Sequence, residues 1–308
     1  MCGRLLSYLI RSNLHVAFLV IWVCLQTSSA STVVVIVTPG GIVMGADGRG
    51  KRGCGGHTTA STIRKIFILR HRYLLASVGL GRAKSKDGRT MLYDLPTFAK
   101  SVQSQIDRKT TVEQFFRIVE DEGSKELSFA PSDLDRWACS RPIDPITKKK
   151  NSPVQYIMAG YESGAPVVHL LDFKIDWEKN TINPVRVPIQ SCQGQQVNCK
   201  PQVFGFFWGY LSLCDPQIDA YKEAIAKFSF MCDVIQEKAH TLDEASDMAR
   251  IIIGIEAEVY PDDVNFPITV VTLPAQGRER VKKYNTPFLP QNFHGPKNGA
   301  PSEEQHPR

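Results

Sequence analysis

Three residues near the start of the chain have types and a spacing that suit nucleophilic attack on a carbonyl carbon. Cleavage after Ala30 would put a hydroxyl group and a free α-amine together on Ser31. An α-amine has an ordinary pKa of ~7.7–8.0, so near neutral pH part of it is able to accept the hydroxyl proton. Asp47 and Lys65 follow closely enough in sequence to fold back beneath that residue. The lysine ammonium would favour the neutral amine, and the carboxylate would hold the lysine in place.

Each of these residues also has a plainer interpretation. Asp47 precedes Gly48, and an Asp-Gly pair at the end of a strand is commonly a turn. Lys65 lies among several arginines and could be a surface charge, and Ser31 could be the first residue of a loose terminus. The order and spacing of the three together favour the chemical interpretation. Cleavage one residue later would leave Thr32 as an alternative nucleophile.

Residues 1–30 have the pattern of a secretory signal peptide. Arg4 and Arg11 form a basic lead, an apolar run extends from Val16 to Leu25, and small residues stand before the expected cut after Ala30. This run of ten residues is too short for a bilayer, which needs about 20 apolar residues. We therefore expect export to the periplasm or out of the cell, with no stable membrane span once the signal is removed.

Cysteine usage and charge narrow the function classes. Six cysteines remain after removal of the signal, and an even number in an exported chain is compatible with disulfides; Cys192 with Cys199 is the first candidate pair. The sequence has neither a CxxC pair nor an HExxH helix, so we expect no metal ion and no other cofactor. A net charge of +6 over 308 residues is too small and too dispersed to indicate a nucleic-acid-binding protein.

Residues 31–275 are expected to form one domain, because no repeat or linker divides them and 43% of the chain is apolar. Residues 276–308 are polar and carry Pro and Gly throughout, which predicts a disordered tail.

Hydrophobic periodicity predicts alternating blocks of strands and helices within this domain. The segment 48–59, rich in Gly and basic residues, is expected to be a loop, and Thr241 to Glu244 fit a helix capping box. The predicted elements are strands 33–37, 41–47, 66–69 and 73–78, helical spacing from 83 to 102 and from 111 to 120, strands 154–159, 167–173, 185–189 and 203–207, helices 218–234 and 242–258, and a strand 268–272. This order predicts an α+β fold, a four-layer αββα sandwich of two antiparallel sheets covered by helices.

The first hairpin and the segments that follow it resemble the proteasome β-subunit family, within the N-terminal-nucleophile hydrolase superfamily. The resemblance covers residues from about 31 to 273. It is carried by the hairpin of Val33–Val37 with Gly41–Asp47, the stretch Thr62–Ile66, the strand Tyr73–Gly79 and the hairpin at Met158–Glu162. It implies an N-terminal-nucleophile hydrolase fold and a threonine- or serine-type peptidase with a peptide or protein substrate.

The resemblance also implies roles for particular residues. In the family a threonine freed at the mature N-terminus is the nucleophile, an aspartate ends the second strand and a lysine opens the next hairpin. The family's usual separation of sixteen positions leads back from Asp47 to Ser31, and Lys65 stands where the lysine is expected. The N–H groups around Gly79, Leu80 and Gly81 are the implied oxyanion donors, and Val78 is implied to line the substrate pocket.

Two segments depart from the family pattern. Relatives have a small-residue Gly/Ser turn before the third helix, where this chain has the aromatic stretch Gly205–Tyr210. Relatives also place an aspartate and a serine before the last strand. Here Asp262 or Asp263 would supply the supporting acid, and no serine follows.

Two function hypotheses follow from this pattern. The first is an exported hydrolase that cleaves amide bonds through an acyl-enzyme on Ser31. The alternative is a catalytically inactive structural or assembly subunit of the same fold. Family members often stack into rings, so the resemblance also implies a tendency to associate into a homo-oligomer. A third idea, a glutamine amidotransferase that uses Cys2, conflicts with the apolar export segment that follows it.

Overall fold

The structure is a computed structural model, and it describes residues 32–52, 59–85, 87–130, 153–176, 178–189, 202–205, 239–259, 264 and 266–285. Several predictions fall outside these residues. They concern the signal peptide 1–30, Ser31, the six cysteines of the mature chain, the helix 218–234, and Asp262 and Asp263.

The described residues form strands and helices in the following order. They are β1 (Thr32–Thr38), β2 (Gly41–Ala46), β3 (Arg49–Arg52), β4 (Thr59–Thr62), β5 (Ile66–Leu69), β6 (Tyr73–Gly79), β7 (Arg82–Lys84), β8 (Met91–Asp94), α1 (Leu95–Gln105), α2 (Val112–Glu126), β9 (Val154–Glu162), β10 (Ala165–Asp176), β11 (Thr181–Ile189), β12 (Gln202–Gly205), α3 (Leu242–Val259), β13 (Ile268–Pro274) and β14 (Arg280–Tyr284).

Two antiparallel five-stranded sheets form the centre of the fold. Sheet 1 has the strand order β12-β1-β2-β13-β14, and sheet 2 has the order β11-β10-β9-β6-β5. The hairpins β3–β4 and β7–β8 form separate two-stranded ribbons. In sheet 1, β1 pairs with β2 so that Val33 lies opposite Ala46, which brings the start of β1 beside the end of β2.

Strand β1 is buried on both faces because each face packs against a different layer. Val33 and Val35 belong to the core cluster between the two sheets, together with residues of β6 and β9. Val34 and Ile36 point the other way and pack against α3. This explains the continuous β-branched run that starts the domain, since a strand covered on both sides has no polar face.

A third core cluster lies on the outer face of sheet 2. Tyr73 and Phe173 on the sheet pack there against Phe98 of α1 and Phe116 of α2. The layers are therefore α1 and α2, sheet 2, sheet 1, and α3. The predicted four-layer αββα sandwich is confirmed.

Local sequence fixes the start of each helix. Thr111 and Gln114 form a reciprocal capping box at α2, with hydrogen bonds of 2.8 and 3.2 Å. Thr241 and Glu244 form the equivalent contacts at α3, as the sequence predicted, with both bonds 3.1 Å long. At α1 the carboxylate of Asp94 accepts the Thr97 N–H.

The structure differs from the predicted elements in three places. Helix α1 begins at Leu95 and not near residue 83, because Asp94 caps it and the preceding residues pair as β7 and β8. Part of the predicted loop 48–59 forms β3, which pairs with β4. The prediction of a disordered tail over 276–308 is wrong for β14, which completes the edge of sheet 1 by pairing with β13. Its residues are mostly exposed, so they carry no buried periodic pattern.

Candidate active site

A buried ion pair lies where the ends of β2 and β5 meet. Lys65 Nζ is 2.6 Å from Asp47 Oδ1, and the exposed fractions of the two side chains are 4% and 0%. Asp47 directly follows β2 of sheet 1, whereas Lys65 directly precedes β5 of sheet 2. The pair therefore joins the two sheets where β2 ends and β5 begins. A charge-assisted hydrogen bond of this length between two buried side chains holds both groups in one orientation.

The start of β1 is attached to the same carboxylate. The Thr32 backbone N–H donates to Asp47 Oδ1 at 2.8 Å, and the Asp47 N–H donates to the Thr32 carbonyl at 3.3 Å. These bonds extend the β1–β2 register by one residue beyond Val33 and Ala46. Asp47 Oδ1 thus accepts from a lysine and from the first described peptide nitrogen of the domain.

Thr32, the alternative nucleophile, is fully buried. Side chains alternate along β1, so Thr32 shares the face of Val34 and Ile36, which pack against α3. Lys65 reaches the carboxylate from sheet 2, where its neighbour Ile66 lies in the core between the sheets. The Thr32 side chain and the Lys65 ammonium therefore lie in different layers, and Thr32 contacts Asp47 through its backbone N–H.

The candidate oxyanion segment lies beside the lysine. The Ser77 N–H donates to the Lys65 carbonyl at 3.1 Å, which ties β6 to the lysine backbone. After β6 the chain turns at Gly79, whose φ of +95° and close approach to the Pro153 carbonyl require glycine. A Cβ on Gly81 would lie 3.6 Å from Ile63 Cδ1. The turn after β6 and the segment before Lys65 are thus neighbours.

Hydrogen bonding distinguishes the amides of this turn. The Leu80 N–H donates to the Pro153 carbonyl at 2.9 Å and is therefore occupied. The Gly81 carbonyl accepts the Leu95 N–H at 3.0 Å, and its own N–H has no backbone partner among the described turn and loop hydrogen bonds. Gly81 is consequently the better donor candidate of the two.

Val78 lies in the core between the sheets with 3% of its surface exposed. It sits directly before the Gly79 turn, as the sequence indicated, and its role in lining a pocket stays a prediction. Ser31, Asp262 and Asp263 lie outside the described residues. Of the predicted site residues, the structure brings Asp47, Lys65 and the amide of Thr32 into direct contact.

Gly48 is a feature that sequence reasoning missed. Its carbonyl accepts the Ile63 N–H at 2.8 Å, so it closes the base of the β3–β4 hairpin between Asp47 and Lys65. A Cβ there would lie 2.6 Å from the Pro267 carbonyl oxygen, which explains the glycine. The Asp-Gly pair indicated a turn, and nothing in the sequence pointed to this packing.

The described residues contain no cluster of three or more His, Cys, Asp or Glu side chains arranged to hold a metal ion. No helix in the described part of the chain has the length and apolar character needed to cross a membrane.

Two antiparallel sheets stacked between helices, with Asp47 after the second strand and Lys65 before the next hairpin, are the arrangement that the sequence resemblance implied. Among solved structures, two of Anbu from Hyphomicrobium sp. strain MC1 are similar in fold. The Anbu (Gly-1) mutant is 13% identical, with a TM-score of 0.46, over 83% of this chain and 87% of that one. Another Anbu structure is also 13% identical, with a TM-score of 0.45, over 82% of this chain and 87% of that one.

No protein-family model matches the sequence. No curated protein matches it either.

Proposed function

We propose that this chain is an N-terminal-nucleophile hydrolase that cleaves peptide bonds through an acyl-enzyme on Ser31, after export and removal of residues 1–30. The observation that supports it most strongly is the buried contact of Lys65 and the Thr32 amide with one oxygen of Asp47. The Thr32 nitrogen is bonded directly to the carbonyl carbon of residue 31. The contact of the acid and the lysine with the next residue supports a nucleophile on residue 31.

The proposed reaction uses groups of this chain alone. The free α-amine of Ser31 takes the proton of its own hydroxyl as the oxygen attacks the substrate carbonyl carbon. The developing oxyanion accepts a hydrogen bond from the Gly81 N–H. The intermediate collapses to an ester on Ser31, and the α-ammonium returns the proton to the leaving amine. A water molecule then hydrolyses the ester by the same steps.

The ion pair has a definite task in this scheme. Lys65 supplies a fixed positive charge that disfavours protonation of the nearby α-amine, so the amine stays available as a base. Asp47 keeps that ammonium in place, since its carboxylate is itself tied to β1 through Thr32. Ser31 is favoured over Thr32 because the Thr32 side chain is buried on the α3 side of the strand.

The alternative is a structural or assembly subunit that keeps the sandwich without the reaction. The aromatic stretch Gly205–Tyr210, which replaces a small-residue turn, favours this alternative. Association into a homo-oligomer is compatible with either function.

Labelling with a hydroxyl-directed electrophile discriminates between the hydrolase and the structural subunit. The exported protein should form one covalent adduct, which peptide mapping assigns to Ser31 and which is lost in Ser31→Ala. The matched control is Ser104→Ala, since Ser104 is exposed on α1, the layer on the outer face of sheet 2. An adduct on Thr32 would show that the nucleophile is Thr32 and not Ser31. Absence of any adduct on a folded, processed chain would favour the structural subunit.

A further inference from the structure

The positive charge is less dispersed than the net charge alone suggested, because an excess of basic residues falls in the segment that contains Lys65. Between Gly48 and Lys86 the chain has ten Arg or Lys residues and no Asp or Glu. The remainder of the chain has slightly more acidic than basic residues, so this segment accounts for the whole net charge of +6. Such one-sided composition in a segment that forms a site suggests that the site meets negative charge.

Several of these cations are engaged away from the ion pair. Arg70 and Arg72 lie at the far end of the β5–β6 hairpin, where they donate to the backbone carbonyls of Ile106 and Arg108 at 3.1 and 2.7 Å. Arg82 pairs with Asp94 at 2.6 Å. These three are satisfied within the fold.

A second group lies next to the site. Arg49, Lys51 and Arg52 are on β3, which begins two residues after Asp47. A strand advances about 3.3 Å per residue, so these residues fall within roughly 7–17 Å of Asp47 along the chain. An extended tetrapeptide has a similar length. We call Arg49, Lys51, Arg52 and Arg64 the basic rim.

The backbone register of the β3–β4 hairpin places no acidic residue opposite the cations of β3. Its base is closed beside the site by the hydrogen bond from Ile63 to Gly48. The residues opposite the three cations of β3 on β4 are Thr62, Ala60 and Thr59. None of these is acidic, so the register does not cancel the charge of the strand.

Arg64 adds a fourth cation, two residues after the end of β4. It is exposed, its Nε donates to the Ile66 carbonyl at 3.0 Å, and its guanidinium lies 5.1 Å from the centre of the Phe67 ring. No carboxylate pairs with it among the described residues. These contacts hold a positive charge one residue from Lys65.

We propose that the basic rim selects peptide substrates that carry Asp or Glu side chains close to the scissile bond. This inference rests on the proposed function, because it assigns a substrate class to the same site. Cations within a Debye length of about 8–10 Å attract a carboxylate, and the attraction weakens as salt is added. An acidic peptide is favoured over a nucleic acid because the rim cations belong to one short hairpin and its flank, whereas the chain outside residues 48–86 has an acidic excess.

The test compares two fluorogenic peptides that differ only by Glu or Gln beside the scissile bond. The ratio of their kcat/KM values should be about tenfold in favour of Glu at low ionic strength, as expected for several weakly screened charge pairs. Near ~1 M salt, where the Debye length is about 3 Å, the ratio should approach one. A ratio of one at low salt, or a preference for Gln, would overturn the proposal.

Matched variants assign the preference to the rim. Replacement of Arg49, Lys51 and Arg52 by Gln should abolish most of the Glu preference. The control replaces the exposed Lys100, Lys109 and Lys174 by Gln, which removes the same charge from elements outside the hairpin, and it should keep the preference. Because the triple rim variant could fold poorly, Arg64→Gln provides a single substitution that should lower the ratio two- to threefold. Loss of the preference in the control variant would contradict a local effect.

Binding separates this inference from the proposed function. Fluorescence anisotropy of the two labelled peptides on Ser31→Ala measures recognition without any reaction, while labelling of Ser31 by an uncharged electrophile measures the nucleophile. If Ser31 is labelled but both peptides bind equally, only the substrate preference fails. If Ser31 is not labelled yet the Glu peptide binds more tightly, only the hydrolase fails. If a short oligonucleotide at equal concentration displaces the Glu peptide, the basic rim binds nucleic acid and the proposed acidic peptide is the wrong ligand.

Discussion

Removal of the buried lysine is the perturbation whose size follows most directly from the structure. Lys65→Met keeps the length and most of the volume of the side chain but deletes the charge, so little cavity should form. The Asp47 carboxylate would then remain fully buried without the ammonium that lies 2.6 Å away in the native chain. Breaking a buried ion pair by removal of one partner typically costs about 3–5 kcal/mol. We expect Lys65→Met to lower the free energy of unfolding by that amount.

The double variant Asp47→Asn/Lys65→Met tests the reason for this cost. In the native chain the Thr32 nitrogen lies 2.8 Å from Asp47 Oδ1. Asparagine keeps an oxygen that can accept this N–H, and the double variant leaves no buried charge at the site. The double variant should therefore be at least ~2 kcal/mol more stable than the sum of the two single effects predicts.

Urea unfolding at neutral pH, with m-values compared among variants, measures these differences. Lys179→Met is the matched control, because its partner Asp176 is 3.6 Å away and the lysine side chain is 78% exposed. That change should cost no more than about 1 kcal/mol. If Lys65→Met costs as little as the control, or if the two single effects simply add, the pair is not the buried anchor described here.

Three further changes give separate tests. Burial raises the pKa of Tyr161 from 10.0 to about 12; the folded chain therefore keeps a proton that the unfolded chain loses, and the free energy of unfolding should fall as pH rises between these values. The part of this fall that comes from Tyr161 should be about 1–2 kcal/mol after allowance for partial exposure. Urea unfolding at several pH values should show that Tyr161→Phe loses that much less stability than the native chain over the same pH range. Gly123→Val should destabilise the fold by about 1–3 kcal/mol, because even a Cβ there would lie 2.7 Å from Phe173 Cζ; an unchanged thermal midpoint would contradict the close packing of α2 on sheet 2. Lys65→Met should slow labelling of Ser31 by about 100-fold or more in protein that is still folded; labelling at the native rate would remove the lysine from the mechanism.

The first hairpin was predictable because its pattern has one explanation. A β-branched run of the length of β1 fits only a strand covered on both faces, and the Pro-Gly-Gly sequence that follows can only turn. Asp47 and Lys65 were therefore placed at element ends by local rules. Their contact across two sheets depends on the stacking of those sheets, which the order of elements suggested.

Other features could not be read from local patterns. Strand β14 consists of mostly exposed, largely basic residues, and only its pairing with β13 makes it a strand. Helix α1 starts later than its periodicity suggested, since the Asp94 cap and the β7–β8 pairing outweigh the apolar spacing before Leu95. The Thr32 amide contact with Asp47 is a backbone bond, and no residue type signals it.

The residue at the start of the purified, exported chain tests the proposed function most directly. N-terminal sequencing together with intact mass should give Ser31 with an unmodified amine, because only that terminus combines the hydroxyl and the base beside the buried acid and lysine. A mature chain that still carries residues 1–30, or that starts beyond Thr32, or whose amine is blocked, would contradict a nucleophile at this position.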